Sequence, residues 1–129
     1  ADFLLGVCES WMTPALFLSV AFVAGAVISF FTGSSWGTFA ICIPIAVPMA
    51  YSFTGGQLGT LVYAAVGAVV SGGLFGDHCS PVSDTTVLSS LGAACDHIDH
   101  VRTQLPYALL AAAVSMILWV VVAMVGGAA

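Results

Sequence analysis

The sequence predicts an all-α fold, a polytopic helical membrane protein with broken or re-entrant helices. Three observations carry this. Hydrophobic residues make up 60% of the 129 residues and charged residues only 5%, against about 25% charged in ordinary soluble domains. Mean hydropathy is +1.13. The apolar residues fall in runs close to the roughly 20 that a bilayer-crossing helix needs, separated by polar, glycine-punctuated gaps and without the strict alternation of a membrane barrel. One membrane domain over residues 1–129 is expected, with three or four spans and at least one helix that stops partway.

Residues 14–31 (PALFLSVAFVAGAVISFF) make the first run, opened by Pro14, a residue suited to a first helical turn. Residues 38–53 make a second, short run that Pro44 and Pro48 are expected to interrupt. Residues 58–76 make a third, ending in glycines. Residues 84–95 are half-polar and too short to span, and residues 105–126 are the cleanest span in the chain. Glycine and alanine recur throughout, which favours close helix–helix packing in lipid.

Two interruptions organise these runs. The first is Thr32-Gly33-Ser34-Ser35-Trp36-Gly37-Thr38, between two apolar stretches with almost no room for an external loop. The second runs from Ser71 through Gly72, Gly73, Gly76, Asp77, His78, Cys79, Ser80 and Pro81 to Ser83, Asp84, Thr85 and Thr86. Its glycines and proline argue against continuous helix there. Non-helical backbone at membrane depth persists only where it is buried in protein or lines a watery cavity. Paired interrupted segments are the sequence pointer to the site of a secondary transporter.

The charges narrow the function. There are six acids, one arginine and no lysine. One positive charge cannot neutralise a phosphate backbone, so nucleic acid is excluded as a partner, and so is a polybasic membrane-surface role. Between Glu9 and Asp77 no Asp, Glu, Lys or Arg occurs, and none follows Arg102. Asp77, Asp84, Asp96, Asp99 and Arg102 share one short window with His78, His97 and His100. The last five of these before the final span, residues 96–102, read as a solvated loop, and Arg102 is the single cue placing it on the cytoplasmic side. The near absence of orientation cues also allows an antiparallel homodimer.

Asp77 and Asp84 bracket Ser80, Ser83, Thr85 and Thr86. A small hard cation such as Na⁺ wants carboxylate, hydroxyl and carbonyl oxygens, and this stretch supplies all three. A carboxylate on poorly solvated backbone also holds a proton more readily, so one group can serve both ions in turn. The competing reading is an extramembrane loop whose Asp and Ser cap helices. The first break offers only hydroxyls and backbone, and by itself reads as a tight turn. Trp36 fits an interfacial anchor as well as a pore residue. Zinc is not expected, because His78, Cys79, Cys95 and His97 lack the tight ligand pairs of zinc sites. A hydrolase built from Ser80, His78 and Asp84 would need a nucleophile elbow that is absent. No enzyme activity and no cofactor are expected, and the four cysteines, Cys8, Cys42, Cys79 and Cys95, read as free, buried thiols.

The segment Gly76-Asp77-His78-Cys79-Ser80-Pro81-Val82-Ser83-Asp84-Thr85-Thr86 resembles the signature of NhaC-type sodium/proton antiporters, members of the ion-transporter superfamily. So do the first break, with the Ile43-Pro44-Ile45-Ala46-Val47-Pro48 that follows it, and His100-Val101-Arg102-Thr103-Gln104-Leu105-Pro106-Tyr107-Ala108. The resemblance implies two inverted repeats whose broken helices meet near the midplane, with this chain as one repeat from the C-terminal half and the N-terminal half as its partner. Its beginning without methionine and its Gly-Gly-Ala-Ala end agree with that expectation. Carried over position by position, Asp77 and Asp84 are the ion-coupling carboxylates, and Thr32, Ser34, Ser35, Ser80, Ser83, Thr85 and Thr86 the coordinating hydroxyls. The implied function is secondary active Na⁺/H⁺ exchange across the inner (plasma) membrane, with the lipid bilayer as surroundings. The alternatives are an H⁺- or Na⁺-coupled exchanger of small organic acids or amino acids, or a membrane subunit that only packs.

Overall fold

A computed structural model describes residues 12–126; Cys8 lies outside them. Among the described residues every element is a helix: α1 (Pro14–Thr32), α2 (Ser35–Phe53), α3 (Thr60–Cys79), α4 (Asp84–Gly92) and α5 (His97–Gly126). Four of them, all but α4, are long and apolar enough to cross a membrane.

α1 begins where Thr13 accepts a hydrogen bond from the Leu16 amide at 3.3 Å and Pro14 pre-sets the first turn. It ends at Gly33, whose left-handed backbone (φ 66°) turns its amide onto the Ser29 carbonyl at 2.8 Å. The first break is shorter than the sequence suggests. Only Gly33 and Ser34 are non-helical, and α2 starts at Ser35. α2 then runs unbroken through Pro44 and Pro48, contrary to the expected interruption. Each proline removes one backbone bond, and the remaining bonds of a 19-residue apolar helix carry it past both.

α3 also overturns an expectation. It continues through Gly72, Gly73, Gly76, Asp77 and His78 to Cys79, so the second break is confined to residues 80–83. Tertiary packing overrides the glycines' poor propensity. Gly72 and Gly76, one turn apart, lie against the Phe22 and Ala26 carbonyls of α1, and a side-chain carbon on Gly25 would come within 2.9 Å of the Val69 carbonyl. No larger residue lets the two backbones approach this closely. The α1 stripe Phe17, Leu18, Ala21, Phe22, Gly25, Ala26 and Ser29 is buried in that contact.

α2 packs on α3, with the Phe39 ring seated over Gly73. α5 crosses α1 and α3, and its Trp119 lies over Gly67 with its indole N–H donating to Ser71 Oγ at 3.0 Å. α5 starts eight residues before its predicted span. Residues 97–102 are helical rather than a solvated loop, because Asp96 Oδ1 accepts from the Ile98 and Asp99 amides at 2.9 and 3.1 Å and so caps the helix. At about 1.5 Å per residue α5 is roughly 45 Å long, and its exposed flank is apolar (Leu110, Ile117, Val121, Val125). That flank suits a lipid surrounding and would be costly in water. Of the described cysteines all are free, but Cys42 is half-buried and Cys95 exposed, so only Cys79 is the buried thiol expected.

Candidate functional site

The two breaks meet. A side-chain carbon on Gly33 would fall 2.8 Å from the Val82 carbonyl, so the end of α1 lies directly on the second break. Ser80 fixes the contact from the other side, donating from Oγ to the Phe30 carbonyl at 2.7 Å while accepting from the Val82 amide at 3.2 Å.

Asp77, in the last turn of α3, stands at this junction with 8% of its surface exposed. Ser35 Oγ donates to its Oδ2 at 3.0 Å, and Ser83 Oγ donates to its Oδ1 at 2.6 Å. Ser35 is the first residue of α2 and Ser83 the residue preceding α4. The starts of two helices therefore each give one hydroxyl to the same carboxylate, and their positive dipole ends favour its negative charge. Ser83 also exchanges a hydrogen bond with Thr85 Oγ1 at 2.8 Å. Thr86 Oγ1 reaches back to the Asp77 and His78 carbonyls at 3.4 and 3.3 Å, tying α4 to the end of α3.

The other predicted residues stand apart from the carboxylate. Asp84 is exposed on this chain, in the first turn of α4, and its Oδ1 accepts from the Thr85 amide at 2.8 Å. This is a local bond to the next residue; the N-cap position of α4 belongs to Ser83, which makes no side-chain capping bond. Ser34 caps α2 by accepting from the Gly37 amide at 3.3 Å. Thr32 is exposed and donates to the Ile28 carbonyl of its own helix at 2.8 Å. Trp36 is 81% exposed and contacts Phe39 edge-on.

Two buried hydroxyls stand outside the candidate coordinating residues: Ser29, and Thr38 at the end of the first break. Ser29 is fully buried against Gly76, and among the described residues its Oγ has no hydrogen-bond partner. Thr38, equally buried, spends its hydroxyl on the Ser34 carbonyl at 2.9 Å. Ser29 was legible in principle, since it continues the Ala21, Phe22, Gly25, Ala26 stripe one turn further.

Asp77 also borders a cavity of about 420 Å³ between α3 and α5, whose polar wall is Ser71, His78, Thr85 and Ser115. The carboxylate is thus enclosed on its helix-break side and borders, on the other, a cavity lined mostly by apolar surface, with Leu74, Phe75, Ala108 and Ala111 beside those polar groups. Among the described residues no three His, Cys, Asp or Glu side chains form a metal-binding group.

Membrane-spanning helices interrupted at two facing breaks, with a buried carboxylate between them, define an integral membrane protein of the transporter class. The chain belongs to the Na⁺/H⁺ antiporter family, whose model it matches over residues 2–124. It is similar to an uncharacterized protein of Haemophilus influenzae (53% identical, covering 84% of this chain and 20% of that protein). It also resembles the malate-2H⁺/Na⁺-lactate antiporter of Bacillus subtilis, at 35% identity over 88% of this chain and 23% of that one. The Na⁺/H⁺ antiporter NhaC of Alkalihalophilus pseudofirmus is 36% identical over 72% of this chain and 19% of its own length. The chain spans about a fifth of the length of these curated relatives. No solved structure matches it. The two of these relatives that carry an activity in their names are antiporters, not enzymes.

Proposed function

We propose that the protein carries out Na⁺/H⁺ antiport, with Na⁺ and H⁺ competing for Asp77 at the meeting point of the two breaks. One observation carries the reading. Asp77 is a buried carboxylate in a chain whose sole arginine, Arg102, is exposed and which has no lysine. Burying an uncompensated charge is costly, and hydroxyls offset only part of that cost. Among the described residues no Lys or Arg side chain is bonded to it, which supports a proton or a sodium ion as the group that neutralises it. Ser35 and Ser83 are already within hydrogen-bond reach of the carboxylate and supply hard oxygen to a sodium ion on it. Ser80 and Thr86 hold the breaks in register, with Thr85 supporting Ser83. Asp84, Ser34 and Thr32 make no hydrogen bond to Asp77, and a secondary role in attracting cations is proposed for Asp84.

The activity is proposed for the full gene product in the plasma membrane, with the rest of the carrier closing the site. An antiparallel homodimer remains a separate proposal that crosslinking of opposed copies in native membrane would decide. The deciding measurement for the function is Na⁺-driven dissipation of a pH gradient in everted vesicles. Asp77→Asn, which cannot exchange a proton for sodium, should abolish the signal at normal protein levels. Exchange at the wild-type rate would overturn the assignment.

A second reading is supported by the cavity beside Asp77, which is larger than one sodium ion needs, and by the printed activity of the Bacillus subtilis relative. In it the cargo is a small organic acid coupled to H⁺ or Na⁺. Uptake of labelled malate or lactate by the same vesicles separates the two.

A further inference from the structure

The first residue of α5 bonds across to the second break. His97, half-buried at the start of α5, places Nε2 2.7 Å from the Pro81 carbonyl and Nδ1 3.2 Å from Ser90 Oγ. A carbonyl oxygen only accepts, so Nε2 carries the hydrogen. Ser90 Oγ in turn lies 2.8 Å from the Val87 carbonyl. One imidazole therefore fastens the break, α4 and the first turn of α5 together.

The place it grips matters. Pro81 has no amide hydrogen of its own, and among the described residues its carbonyl takes no other donor. On one side of it is Ser80, anchored on α1 through the Phe30 carbonyl, and two residues on is Ser83, whose hydroxyl lies on Asp77. The backbone bonds within the break are long, 3.3 Å from the Ser80 amide to Asp77 O and 3.4 Å from the Ser83 amide to Ser80 O. The imidazole bond is the shortest link that ties residues 80–83 to any element after them.

We infer that His97 is a positioning residue for the Asp77 site: its Nε2–H holds the Pro81 carbonyl and thereby fixes the break so that the Ser83 hydroxyl meets the carboxylate. The neutral ring protonated at Nε2 and the imidazolium both offer this donor. In the first state Ser90 turns its hydroxyl to Nδ1, and in the second Nδ1–H bonds to Ser90 Oγ while Ser90 keeps Val87. Asp99 and His100 on the same element, Asp96 just before it, Asp84 on α4 and His78 on α3 make no bond to the ring. The clamp is thus a fixed strut, set by donor geometry.

The inference rests on Asp77 as the exchange site, and its test separates the two. In the full gene product, His97→Leu, His97→Gln and His97→Glu are compared for the KM of Na⁺ in vesicles and, on purified protein, for amide hydrogen exchange at residues 82–86. Gln keeps an N–H donor on a chain of similar reach, whereas ionised Glu has the same shape and no donor. Loss of one buried hydrogen bond should raise the KM by about fivefold to tenfold in Leu and Glu, with faster amide exchange across the break. Gln should stay close to wild type in both. Gln as impaired as Leu, or Glu indistinguishable from wild type, would overturn the role. If Leu fails to fold, the Gln/Glu pair decides. If Asp77→Asn exchanges normally, the site assignment falls, and the amide-exchange pattern still decides whether His97 clamps the break.

Discussion

Two serines occupy the same formal position in this fold and should respond differently to the same substitution. Ser34 and Ser83 each immediately precede a helix. Ser34 spends its hydroxyl on the Gly37 amide, and Ser83 makes no capping bond and gives its hydroxyl to Asp77 at 2.6 Å. Ser34→Ala therefore removes a cap, worth about 1 kcal/mol of stability, and leaves the carboxylate untouched. Ser83→Ala removes a charge-assisted bond, for which about 1.5–3 kcal/mol is typical. The bound ion or a water recovers part of that, so the lower end applies, and about 1.4 kcal/mol is tenfold in affinity. The assay is the KM of Na⁺ in everted vesicles at fixed pH, alongside the melting temperature of the purified protein. Ser83→Ala should raise the KM about tenfold, and Ser83→Thr, which keeps a hydroxyl, should recover most of it. Ser34→Ala should lower the melting temperature and leave the KM close to wild type. A Ser83→Ala carrier with wild-type KM, beside an inactive Asp77→Asn, would show that the hydroxyl on the carboxylate has no part in cation binding.

Three further outcomes follow from the same geometry. Ser35→Ala should raise the KM by a similar factor, and the Ser35→Ala/Ser83→Ala double variant should fall short of the product of the two, because both touch one carboxylate. Gly76→Ala would drive a carbon within 2.7 Å of the Phe30 amide nitrogen and onto the Ala26 carbonyl, so α1 and α3 must part, lowering the melting temperature by an overpacking cost of about 1–3 kcal/mol. If protons and sodium compete for Asp77, lowering the pH below the exchange midpoint should raise the Na⁺ KM by up to about tenfold per unit while the maximal rate at saturating Na⁺ stays constant; a fall in maximal rate with unchanged KM would point to separate sites.

What the sequence disclosed, and what it hid, divides along a physical line. Hydropathy located the spans, because burial in lipid is written residue by residue into composition. Polar interruptions located both breaks and drew attention to Asp77. Their extent was misjudged where packing decides. Gly72, Gly73 and Gly76 look like helix breakers in isolation, and they are helical because α1 lies against them. The stretch at 96–102 looks like a loop by charge, and it is helical because Asp96 caps it. Asp77 and Asp84 are equivalent in a motif, and only the fold separates them, turning one inward to two hydroxyls and leaving the other at a helix start. His97 was invisible for the same reason, since its partner lies sixteen residues back in a segment whose path no local rule gives.

The donor count at Asp77 bears on how such a site can work. An arginine or lysine in the same position would neutralise the carboxylate permanently, and an ion pair of that kind has no reason to release its partner for sodium. A carboxylate with no donors in the same dry junction would stay protonated, since nothing would support the anion. Two hydroxyls, from Ser35 and Ser83, lie between these limits. In the proposed function they donate to the carboxylate in the absence of sodium, and as neutral groups they are able to turn their lone pairs to a cation. The two helix starts that carry them add a fixed positive bias that costs no side-chain charge. The proposed exchange requires such a site, one able to hold either ion and committed to neither. On that reasoning Ser35→Lys, which places an ammonium where a hydroxyl now meets Oδ2, should lose Na⁺ exchange altogether when compared at wild-type protein levels in the membrane; exchange surviving in that variant would mean that the ion is neutralised by some group other than Asp77.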